Sequence, residues 1–361
     1  MKQRYFGGIL GGLGIVLGAQ LALTQAHAQA PEPFEPMPLW AYARSTQPEP
    51  GDGPVPQPWP SRDLREGDDP EDVATPRTVE GSDAIYTRID IRDAHDVIDW
   101  FPGDHPPMPD IMRRGPESLL AVRGWGCASC HLPNGKGRPE NAPPAGQPVE
   151  YTIRQLQDMA TGKRFSADPR KPNSPTMTYL AAAMSEDEVR ESAEYFAAMP
   201  WTPWIEVIEA DLIPEMHLEE GNMYITVGEE PTEPLDGRIV ETPVDAFQAN
   251  YLRNPRSSWI AYVPVGSLAM GEELVTTGGG KTIDCAICHG PDLMGLANMP
   301  GIAGRSPSYM MRQLYDMKVG TRNGLGVELM DAVLADLTVE DMTNIVAYLA
   351  SLAPPAQADP R

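Results

Sequence analysis

Two pentapeptides decide how this chain is read: Cys127-Ala128-Ser129-Cys130-His131 and Cys285-Ala286-Ile287-Cys288-His289. A Cys-x-x-Cys-His run is the attachment signature of a c-type haem. Its two sulfurs form thioethers with the porphyrin vinyl groups, and the adjoining histidine is brought onto the iron. The chain has 4 cysteines and the two runs use all of them, so none remains for a disulfide. A single run of this kind also fits a zinc ligand pair or a redox dithiol. Two runs with no cysteine to spare favour haem. Cys127, Cys130, Cys285 and Cys288 are therefore the expected attachment points of two covalently bound haem c groups, with His131 and His289 as iron ligands.

The N-terminus agrees with that chemistry. Met1-Lys2-Gln3-Arg4 is basic, residues 5–23 are apolar and glycine-rich, and Ala26-His27-Ala28 offers small residues at a cleavage spacing. This reads as a signal peptide over 1–28. The competing reading is an uncleaved membrane anchor, which the glycines weaken. Covalent haem attachment to this motif takes place outside the bacterial cytoplasm, so the expected location is the periplasm.

With 361 residues the chain accommodates two or three domains. It carries 51 acidic and 28 basic residues, a net charge of −23. The acid is unevenly spread: net −12 over 29–110, +1 over 111–200, −9 over 201–265 and −5 over 266–353. Nucleic acid is excluded as a partner, because phosphate binding needs a basic face.

A shift of 158 residues superposes the two haem segments. Tyr151-Thr-Ile-Arg-Gln-Leu-Gln-Asp-Met159 then meets Tyr309-Met-Met-Arg-Gln-Leu-Tyr-Asp-Met317, and Gly162 and Arg164 meet Gly320 and Arg322. Two copies of one module explain this. Apolar residues at helical spacing predict helices over 151–162 and 309–320. Ser185 and Thr338, each followed by early acids, predict capped helices running to Met199 and Leu352, with Pro200 and Pro354 beyond.

The pattern Cys-x-x-Cys-His, Ala-Gly, Tyr-x-x-x-Gln-Leu, Gly-x-Arg, Met and a final helix resembles the tandem class I cytochromes c, in particular the cytochrome c-four family of two-haem carriers. It covers roughly 110–200 and 265–353. The resemblance implies a mainly α fold: a cytochrome c module at 110–200 and another at 265–353. It also implies that Met177 and Met330 are the second axial ligands, on an irregular loop before the last helix. Members of that family brace the ligand histidine with the carbonyl of a proline. Pro300 fits, but Ala142 stands at the matching place in the first module. Arg164 and Arg322 read equally as clamps for haem propionates or as surface ion pairs. Trp125 reads as packing on a haem edge or plain core. His95, His105 and His217 read as structural or exposed.

The chain is longer than that family's layout. A Pro-rich acidic extension spans 29–109; its early runs, Pro31–Pro36 and Pro54–Pro60, are expected to wrap the surface as extended chain or stay disordered, with one strand near Ala84–Ile91. An insert at 201–264 carries strand-like runs at Trp204–Ile208, Met223–Val227, Gly237–Glu241 and Trp259–Val263. It is expected to form a small β-rich ribbon across the module junction. Residues 354–361 form a tail.

The expected function is electron transfer through two haems, not catalysis. The donor would be a periplasmic dehydrogenase or a quinol-oxidising complex, and the acceptor a terminal oxidase or small redox carrier. One rival is a dihaem cytochrome c peroxidase-like enzyme, which needs an open iron site that a matched methionine pair would close. A thiosulfate-oxidising enzyme with a cysteine ligand is excluded by the cysteine count. The other rival is a cytochrome subunit of a larger dehydrogenase complex.

Overall fold

The computed structural model describes residues 36–54, 62–219 and 223–353. The expected leader, the proline-rich runs at 31–35 and 55–60 and the tail lie outside them. The extension holds α1 (Pro70–Ala74) and α2 (Arg88–Ile91). The first helical unit has α3 (Asp110–Arg114), α4 (Cys127–His131), α5 (Val149–Ala160), α6 (Asn173–Ala183) and α7 (Glu186–Ala197). The insert has β1 (Ile205–Glu209), β2 (Leu212–Glu219), β3 (Met223–Pro234), β4 (Val240–Pro243) and β5 (Trp259–Val263). The second unit has α8 (Ser267–Thr277), α9 (Ala286–His289), α10 (Pro307–Lys318), α11 (Glu328–Leu334) and α12 (Val339–Ser351).

The two units repeat the same local logic. Helices α5 and α10 each begin two residues ahead of the repeated tyrosine. Pro148 precedes the first, and Ser306 caps the second with Pro307 in its first turn. Helices α7 and α12 start at capping boxes, Ser185 with Glu188 and Thr338 with Asp341. In each unit the last helix packs on the helix that follows the haem motif, α7 on α5 and α12 on α10.

In the insert, β5 is central in a three-stranded sheet, parallel to β1 and antiparallel to β4, while β2 and β3 pair antiparallel. The sheet spans the junction. Trp204 and Trp259 pack in the core of the first unit, and Ile239, Ala261 and Val263 in that of the second. Strand β2 escaped the sequence reading because Pro214 interrupts it. That proline sits at the register shift of the β2–β3 ladder.

One expectation for the extension is corrected. Ala84–Ile91 is not a strand: Thr87 caps Asp90 in a reciprocal capping box and turns 88–91 into a helix. Between the two proline-rich runs the extension enters the fold. Met37, Trp40, Ala41 and Tyr42 are buried in the core of the second unit. There Arg312 donates to the Ala41 carbonyl, and the Tyr42 hydroxyl donates to Asp316 at 2.6 Å. Burying an indole and a phenol whose polar end has a partner outweighs the cost of ordering a short strap.

Candidate haem sites

Each motif forms one turn of helix, α4 or α9, and each histidine is held the same way. His131 Nδ1 lies 2.8 Å from the Ala142 carbonyl and His289 Nδ1 lies 2.8 Å from the Pro300 carbonyl. A carbonyl only accepts, so Nδ1 donates and Nε2 carries the lone pair, as an iron ligand requires. The missing proline in the first module therefore costs nothing: the brace is a backbone atom, which alanine supplies equally. Both loops need a glycine. A Cβ on Gly137 (φ +66°) would come 2.7 Å from the Ala142 oxygen, and one on Gly295 (φ +109°) 2.9 Å from the Met299 oxygen. Burial holds both imidazoles below their usual pKa, so they stand neutral.

Burial pushes the Cys127 thiol up to about 12 and the Cys285 thiol up to about 11. Among the described residues no group of three or more His, Cys, Asp or Glu converges on a metal-sized site. The zinc reading thus has no ligand set.

A deep, largely apolar cleft lies at the first motif, lined by Cys127, Cys130, His131, Trp125, Met177 and Leu180 among others. Met177 does not sit on an irregular loop: it lies in α6, where the run Leu180-Ala-Ala-Ala183 favours helix. Met330 likewise lies in α11, and it packs on the same apolar core as Cys285 and Ala286. Met159 and Met184 also line the first cleft.

Arg164 and Arg322 are not surface ion pairs. Both are buried and face each other in an isolated antiparallel bridge at the module junction. Arg164 donates to Gln155, to Gln313 and to the Tyr309 hydroxyl. Arg322 donates to Gln313, to Gln155 and to the Tyr151 hydroxyl. Every partner of one arginine is matched, 158 residues away, by a partner of the other. Arg322 Nε is buried with no acceptor, and Arg164 lines the cleft beside Arg312 and Lys171. Burial pushes Lys171 down to about 7. Buried arginines lining an apolar cleft fit a flat macrocycle with two carboxylates.

Among the described residues, the three histidines outside the motifs are structural or exposed. His95 Nδ1 meets the Gly124 carbonyl at 2.9 Å. His105 is held by Asp99, Pro106 and Tyr195. Burial opposes its charge, but the Asp99 and Pro106 hydrogen bonds raise its pKa. His217 is exposed beside Glu219. None of them lines the cleft.

Comparison with known proteins agrees with this construction. A family model described as Cytochrome c matches residues 268–353. Cytochrome c-554(548) of Halomonas halodenitrificans is 33% identical over 87 residues, covering 24% of this chain and 96% of that protein. Cytochrome c4 of Azotobacter vinelandii is 35% identical over 92 residues, covering 23% of this chain; the chain spans only 44% of that protein's length. A Stutzerimonas stutzeri protein named thiosulfate dehydrogenase electron acceptor is 24% identical over 229 residues, covering 63% of this chain and 78% of that protein. With two braced Cys-x-x-Cys-His sites in repeated helical units, the chain belongs to the cytochrome c family, as a cytochrome c4-like protein with two covalently bound haem c groups.

Proposed function

We propose that this protein carries electrons between a periplasmic donor and a separate acceptor, with His131/Met177 and His289/Met330 as the ligand pairs of its two irons. The duplicated histidine brace supports the reading most directly. When bound, each haem supplies a one-electron couple that needs no proton transfer or substrate contact. The protein's own task is then to bind, orient and shield. Cys127, Cys130, Cys285 and Cys288 tether; Ala142 and Pro300 fix the imidazoles; the methionine sulfurs favour a high potential and close the irons to substrates. Arg164, Arg322, Tyr151 and Tyr309 tie the two units into one body, which suits passage of electrons between them.

The relative named as an electron acceptor for thiosulfate dehydrogenase favours a dehydrogenase as donor, either as a free partner or as one holding this chain as a subunit. Location in the periplasm rests on the leader reading. Among the described residues no helix is long and apolar enough to cross a membrane. The test is a pyridine haemochrome assay with reduced and oxidised spectra. Two haems per chain and a sulfur-to-iron band near the red edge are expected. One haem, no such band, or rapid peroxide turnover overturns the reading.

A further inference from the structure

The two haem motifs share a sequence pattern but not a surface. In the first, the residues between the cysteines are covered: Ala128 is 1% exposed and Ser129 8%. The extension lies over them, with Gly126 N donating to the Ala94 carbonyl at 2.7 Å and Val97 N to the Arg113 carbonyl. From the insert, Arg253 donates to the Ser129 carbonyl. In the second motif the matching position is open. Ile287 is 65% exposed; Ile283, four residues before it, is 47% exposed and Leu296, in the loop after the motif, 52%. Leu296 follows the turn in which Gly295 N donates to the His289 carbonyl. Thioethers join the cysteines to the macrocycle's periphery, so whatever covers the residues between them covers that edge of the ring.

The rim of this apolar patch is acidic. Asp284 is fixed by Ala286 N at 2.8 Å and Asp292 by Met294 N at 3.1 Å. The second unit's basic side chains do not offset them. Lys281 is tied to Asp341, Arg305, Arg312 and Arg322 are buried, and Lys318 donates to the Leu334 and Leu337 carbonyls.

Resting on the electron-carrier reading, we propose that Ile283, Ile287 and Leu296, rimmed by Asp284 and Asp292, form the docking face for a redox protein whose own apolar edge is ringed by lysine or arginine, and that the extension and insert close the first motif to such partners. An apolar centre with a complementary charged rim permits a short-lived, salt-sensitive encounter. One electron passes per encounter: one centre is oxidised, the other reduced, and no bond forms or breaks.

The experiment uses the full holoprotein and a small basic single-haem cytochrome c as probe. Binding is read by calorimetry or chemical-shift change at low and high salt, and electron exchange by stopped flow. Ile287→Lys and Ile283→Lys should each weaken binding at least about tenfold, with both haem spectra unchanged. Val122→Lys, at an exposed position ahead of the first motif, should change binding less than about twofold. Parental affinity should fall as salt rises. The proposal is overturned if the isoleucine variants bind like the parent, or if Val122→Lys is the one that loses affinity. Failure of the carrier reading shows separately, as haems that small reagents cannot cycle.

Discussion

The first and second haem units have equivalent caps, equivalent histidine braces and matched arginines. Yet one is wrapped on its motif side and the other is strapped on its helical side. Residues 91–98 and Arg253 lie over Ala128 and Ser129, while Trp40 and Tyr42 insert beside α10 and α12 and leave Ile287 in solvent. Duplication preserved the parts that hold a haem; the added segments changed what surrounds each copy. A local motif thus sets the chemistry of a site, and non-local chain sets its accessibility.

The largest test of the equivalence is the second ligand. Met177→Ala and Met330→Ala should each lower the potential of one haem by on the order of 0.1 V, a fraction of the roughly 0.8 V that axial ligands span. Potentiometric titration of the single variants checks it. Equal shifts mean that the two units match at the iron. A shift with Met184→Ala instead of Met177→Ala would assign the first iron to the other cleft sulfur.

Next is the strap. Trp40→Ala should destabilise the second unit by about 3 kcal/mol and leave the first unit's unfolding midpoint in place, read by denaturant titration at each haem's Soret band. Equal losses in both units would mean that they unfold as one body and that the asymmetry is one of surface only.

Smaller is the contribution of Tyr42 to Asp316. Tyr42→Phe removes the donor to a buried carboxylate and should cost about 1–3 kcal/mol. Burial raises the Asp316 pKa from 3.8 to about 6, against the pull of Tyr42, Ala167 N, Arg312 and Arg322. The folded state therefore holds this proton more tightly than the unfolded chain does. Stability from this group falls as pH rises from about 4 to about 6 and then levels. Asp316→Asn should flatten that slope in thermal melts across the range.

The smallest expected effect bears on the sameness of the units. Ser185→Ala and Thr338→Ala each remove one capping box and should cost about 1 kcal/mol apiece, measured by thermal unfolding. A clear inequality would place part of the difference between the units in their helices rather than in their coverings.

Much was legible from sequence because it depends on neighbours in the chain. Helices α5, α7, α10 and α12 follow from apolar spacing, caps and flanking prolines, and four of the five insert strands from β-branched and aromatic runs. Helix α2 was misread because its apolar alternation looked extended while a single Thr87–Asp90 box decided otherwise. The brace at Ala142 could not be read from side chains, since a backbone oxygen does the work. The methionines were placed by resemblance, and the helices that carry them arise from local propensity that the loop expectation overlooked.

Sequence by itself settled the haem count, the duplicated unit and the helical scaffold, because cysteine spacing, period and caps are properties of short stretches. Tertiary structure alone decided that Arg164 and Arg322 meet across the junction, that Tyr42 reaches Asp316 from 274 residues away, and which motif stays open. Those outcomes depend on where buried apolar surface brings distant segments together, and no local pattern encodes that meeting.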